Sequence, residues 1–140
     1  MPGTLVTDAL AVVLDDGGAT TANATGSAGW VNVDWPGGHA ALQVVMGACT
    51  DGGGVAFVIL ESSDASDGAN PVTCGAAGPF DANSANTTYL CPVFVGARGK
   101  YVRASIVAEG TVSVTPATSL VEPHYLRTAA STAGLAYATL

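Results

Sequence analysis

Two Asp-rich turns, two histidines, several glycine runs and a handful of aromatics are the residues whose types could do chemistry. Asp15-Asp16-Gly17 and Asp64-Ala65-Ser66-Asp67-Gly68 gather carboxylates, the oxygen donors that calcium takes. Neither follows the ligand spacing of a calcium loop, and Asp before Gly is ordinary turn chemistry that needs no metal. A zinc site built on His39 and His124 would need distant partners that the spacing does not supply. Ser, His and Asp are all present, but no G-x-S-x-G elbow carries a nucleophile. The glycine runs at 17–18, 37–38 and 52–54 lack the Lys and the following helix of a phosphate loop. Trp30, Trp35 and Tyr89 suggest a sugar-stacking platform, yet strand alternation puts the two indoles on opposite faces, with one of them in the core. The residues therefore predict no enzyme, no cofactor and no metal.

Composition points the same way. In 140 residues, 49% are hydrophobic, mostly Ala and Val, and the 18 Gly and 7 Pro favour strands and turns over helices. That length fits one domain able to bury roughly two-thirds of its unfolded surface. The net charge of −7 argues against a basic nucleic-acid surface. Residues 1–97 hold nine acids and no Lys or Arg, whereas Arg98, Lys100, Arg103 and Arg127 crowd the last part of the chain. Such asymmetry suits an acidic face meeting a basic edge of another copy, although a solvated acidic surface accounts for it as well. No basic leader and no apolar run long enough to span a bilayer is expected. Cys49, Cys74 and Cys91 are odd in number, without a C-x-x-C pair, and read as reduced small hydrophobes; a Cys74–Cys91 pairing is the alternative.

The elements follow from the pattern. Val55–Leu60, apolar at every position and bounded by Gly52-Gly53-Gly54 and Asp64–Gly68, predicts a central strand buried on both faces. Leu5–Leu14 predicts a first strand ending in a turn at Asp15-Asp16-Gly17-Gly18, Ala19–Ser27 a loop or loose edge, and Trp30–Trp35 a short strand. His39–Cys49, with Leu42, Val44 and Met46 on one face, is expected to form an antiparallel hairpin with the central strand. Pro71–Cys74 is a short strand candidate, Pro79–Asn86 is irregular, and Pro92 keeps Thr87–Val95 off a central position. Val102, Ala104 and Ile106 face inward on Lys100–Val107, as do Val112 and Val114 on Thr111–Thr115. About eight short strands without a helix of note predict an all-β, jelly-roll-like sandwich over residues 1–121. Glu122-Pro123 ends the pattern, and 122–140 reads as an extended C-terminal arm.

A resemblance emerges from two short motifs. Leu60-Glu61-Ser62-Ser63-Asp64 closes the apolar strand, and Lys100-Tyr101-Val102-Arg103-Ala104 opens a later one, preceding a last strand with Val112 and Val114. This order resembles the capsid cement, or decoration, proteins of tailed bacteriophages, with "I-x-E-S-x-D" followed downstream by "K/R-Y-V/L-R-A", over about residues 40–116. Family members often carry a Trp after the Glu-Ser turn, where this chain has Ala69-Asn70-Pro71. The resemblance implies a non-enzymatic virion structural protein, made in the host cytoplasm and placed on the capsid exterior. Its implied partners are the major capsid protein and other copies of itself as a homo-oligomer, with no nucleic acid and no membrane. Glu61 and Arg103 are expected to pair across neighbouring strands as a structural contact. In the arm, Tyr125, Leu126, Arg127, Leu135, Tyr137 and Leu140 are expected to anchor the protein in a groove of another copy or of the capsid. The alternatives are a carbohydrate-binding or adhesion sandwich, or another virion protein of the tail or neck.

Overall fold

The most apolar run in the chain is a strand, and its neighbours on either side define one of two sheets. The computed structural model describes residues 11–33, 38–95 and 100–121. Among these the strands are, in order, β1 (Ala11–Asp16), β2 (Ala24–Thr25), β3 (Val31–Asn32), β4 (Gly38–Met46), β5 (Thr50–Asp51) and β6 (Val55–Ser63). They continue as β7 (Val72–Phe80), β8 (Thr88–Val95), β9 (Tyr101–Glu109), β10 (Val112–Ser113) and β11 (Pro116–Val121), with a short 3-10 turn at Ala82–Ser84. One sheet runs β1, β11, β4, β8 and the other β2, β9, β6, β7, with β3 also on β9.

Both β2 and β3 line the same edge of β9, opposite Ile106-Ser105 and Val102-Tyr101 respectively, so they act as one interrupted strand. Counted that way the sandwich has eight strands in two four-stranded antiparallel sheets, and the chain repeatedly changes sheet between them: the jelly-roll winding of an all-β sandwich. The remaining short strands, β5 and β10, pair with each other where the chain crosses from β4 to β6 and from β9 to β11.

Between the sheets lie alternate residues of β4, β6 and β9: Leu42, Val44 and Met46 of β4, Ala56, Val58 and Leu60 of β6, and Val102, Ala104 and Ile106 of β9, all essentially without solvent contact. Leu14, Phe80, Val95 and Leu120 close the same cluster. Each Val, Leu, Ile, Met or Phe among them contributes about 1.5–3 kcal/mol relative to exposure, so this layer is what holds the sheets face to face.

Several expectations are corrected. Strands β4 and β6 are not a hairpin, because residues 47–54 span the roughly 10 Å between sheets and are held there by β10. Strand β6 is central in its sheet, but within its apolar run Val55–Leu60 only Ala56, Val58 and Leu60 are buried, whereas Val55, Phe57 and Ile59 are half-buried. Cross-strand neighbours give that partial cover, Val107 beside Phe57 and Ser105 beside Ile59. Asp15 and Asp16 belong to β1, after an irregularity that shifts the register between Val13 and Asp15, and the turn follows at Gly17. Strand β7 runs past the expected Pro71–Cys74 to Phe80, so Pro79 and Phe80 belong to a strand rather than to an irregular segment, and two register shifts interrupt its pairing with β6. Pro116–Val121 is a central strand of the first sheet, lying between β1 and β4. Its fully buried Thr118 donates its hydroxyl to the Pro116 carbonyl at 3.2 Å, which is how a polar residue sits in the core there.

Candidate functional site

The two motifs of the sequence meet on adjacent strands. Antiparallel pairing of β6 with β9 sets Glu61 directly opposite Arg103 and Ile59 opposite Ser105. Arg103 Nη2 lies 3.2 Å from Glu61 Oε1 and 3.4 Å from Oε2, and the Ser105 hydroxyl donates to Oε1 as well. The guanidinium carbon stands 4.5 Å from the centroid of the Trp30 ring, a cation–π arrangement. Arg103 Nε is buried without a hydrogen-bond partner among the described residues, the cost of setting the guanidinium there. On the far side, Gly68 takes φ +78° in the β6–β7 loop, and any side chain added there would overlap the indole of Trp30.

Trp30 thus ties three elements together: the entry to β3, the outward face of β9 and the β6–β7 loop. With side-chain exposures of 25% and 17%, Arg103 and Glu61 spend their charges on one another, so the cluster fixes register and supplies no free acid or base. Because Trp30 is engaged in this way and Tyr89 packs on Phe80, with ring centroids 5.0 Å apart, they do not share one stacking surface. Trp35 lies outside the described residues, as do His124 and the six arm residues Tyr125, Leu126, Arg127, Leu135, Tyr137 and Leu140.

The Asp-rich turns are closed by their own hydrogen bonds. Asp15 Oδ1 accepts the Gly17 amide at 3.0 Å, and Asp67 Oδ1 accepts the Ala69 amide at 3.1 Å. Burial pushes the Asp15 carboxyl above its ordinary range despite that amide. No three of His, Cys, Asp and Glu come together among the described residues. All three cysteines are free, and burial raises the thiols of Cys49 and Cys91, which keeps them protonated.

One concavity was not foreseen from the sequence. Ser62, Ser63 and Asp64 at the end of β6, Asn70 in the loop, Thr73 and Cys74 of β7, and Phe94 of β8 line a cleft of about 600 Å³ at one open side of the sandwich. Its parts come from both sheets, and its aromatic lining residue, Phe94, stands 54% exposed near the end of β8. No protein-family model matches the chain, and no curated protein matches it.

Proposed function

We propose that this protein is a non-enzymatic capsid cement protein of a tailed bacteriophage, which binds the lattice of major capsid protein and ties neighbouring subunits of the head together. The observation that carries the reading is the convergence of the two family-like motifs: Leu60–Asp64 and Lys100–Ala104 lie on paired strands, and Glu61 and Arg103 join there. Short motifs that matched by chance would have no reason to meet in one cluster. A rigid jelly roll whose charged pair serves only the fold suits a protein that works by surface contact, and the arm after Val121 supplies the aromatic and Arg anchors that dominate interface energies.

The test is co-sedimentation of the full chain with heads of the corresponding virion from which this protein has been removed. Saturable binding at a fixed ratio to the major capsid protein, with increased resistance of the heads to heat, is the expected result. A chain that stays in the supernatant at every concentration refutes the proposal.

A further inference from the structure

The cleft is a built feature with groups to spare. Its floor is set by Cys74, whose Sγ lies 3.1 Å from Ser62 Oγ, at the place where β7 bulges and two residues, Thr73 and Cys74, occupy the space before Gly75. Bulges of this kind bend a strand edge and re-aim its side chains. Behind the bulge, a side chain at Gly75 would collide with Val93, so β7 and β8 approach each other closely there. The opposite wall is the β6–β7 loop, fastened by Ser63 Oγ to the Ala69 carbonyl at 2.6 Å and by the Trp30 ring against Gly68. The third wall is the ring of Phe94, held by His39 in a T-shaped contact at 5.1 Å.

Asp64, Asn70 and Thr73 project at the rim as exposed side chains, with no hydrogen bond to another described residue. An exposed aromatic face beside a carboxylate, an amide and a hydroxyl is the chemistry that recognises a ring with apolar C–H faces and hydroxyls around its edge. The volume lies within the range of small-molecule sites. An added peptide strand fits less well, because Pro71 stands just before β7 at the cleft and Pro92 lies two residues from Phe94 on β8. The net charge of −7, with Asp64 at the rim, disfavours an acidic ligand.

We propose that this cleft binds a neutral sugar residue of a glycan, with Phe94 as the stacking face and Asp64, Asn70 and Thr73 as partners of its hydroxyls. Asp64 accepts two such hydroxyls and fixes the orientation, since bonds to an ionised acceptor are the stronger ones. Sugar binding at this position is compatible with a cement role, because the cleft and the arm are separate parts of the chain.

The experiment uses the full chain and a panel of glucose, galactose, mannose and N-acetylglucosamine at millimolar concentration, read by saturation-transfer NMR and calorimetry. At least one sugar is expected to saturate the protein. Phe94→Ala should weaken it by about tenfold or more, a loss of about 1.4 kcal/mol, and Asp64→Asn by several-fold, with both variants still folded and melting cooperatively. Failure of every sugar to saturate overturns the proposal, as does equal affinity in the wild type and both variants. Head co-sedimentation of Phe94→Ala separates this site from the cement reading: retained head binding with lost sugar binding is expected, and lost head binding without any sugar binding reassigns the cleft to the capsid contact.

Discussion

Substituting Leu60 and Ile59, adjacent on β6, asks whether this strand has one buried face or two. Leu60 is fully buried against the opposite sheet, whereas Ile59 points outward and is half-covered by its cross-strand neighbours. Leu60→Ala removes a core side chain that the rigid sheets cannot close over, a loss of about 2–5 kcal/mol. Ile59→Ala gives up about half the burial of an aliphatic side chain, roughly 1 kcal/mol, and up to about 1 kcal/mol of strand preference. At roughly 3 °C per kcal/mol for a domain of this size, Leu60→Ala should lower the melting midpoint by about 10 °C and Ile59→Ala by about 3–6 °C. Thermal melts followed by circular dichroism, with urea titration to confirm an unchanged m-value, measure both. An Ile59→Ala loss equal to that of Leu60→Ala would show the outer face of β6 to be as buried as the inner one, and the alternation argument would fall.

Three further outcomes follow from named contacts. A double-mutant cycle of Glu61→Gln and Arg103→Met should give a coupling of about 1–2 kcal/mol, above that of an exposed pair because both side chains are mostly buried; a coupling near zero would mean that the cluster does not fix the β6–β9 register. Because burial raises the Asp15 carboxyl above 3.8, the folded chain holds this proton where the unfolded chain has lost it. Its contribution to stability therefore grows as pH falls from neutrality toward 3.8 and is lost as pH rises, and Asp15→Asn should remove that slope in urea midpoints; an identical slope in the variant refutes the assignment. Deleting residues 123–140 should leave the melting midpoint within a few degrees while severely weakening self-association and head binding, and loss of folding on deletion would make the arm a part of the domain.

Much of the fold was legible where alternation was clean. Leu42, Val44 and Met46, and Val102, Ala104 and Ile106, face the core as their period-2 spacing required. The run Val55–Leu60 misled because apolar residues on the outer face of a central strand gain cover from their neighbours without being core. Pro116–Val121 hid as a strand because Pro, Thr and Ser are turn residues by composition, and only the pairing partners on both sides make Thr118 a core position. The β4–β6 crossing was out of reach for a related reason: Thr50-Asp51-Gly52-Gly53-Gly54 suits a hairpin turn equally well, and it is pairing with Val112-Ser113 that commits it to a change of sheet. Glu61 and Arg103 could be matched because both lie at motif positions on strands of known facing. The cleft could not, since Thr73 and Phe94 stand in different sheets and nothing local links them.

The central claim is the place of this protein on a phage head, and a cryo-EM reconstruction of the virion tests it most directly. The account predicts density for an eight-stranded jelly roll on the outer surface of the capsid, repeated over the lattice and bridging neighbouring copies of the major capsid protein. A capsid surface bare of that sandwich, in a particle whose other structural proteins are all assigned, would contradict it.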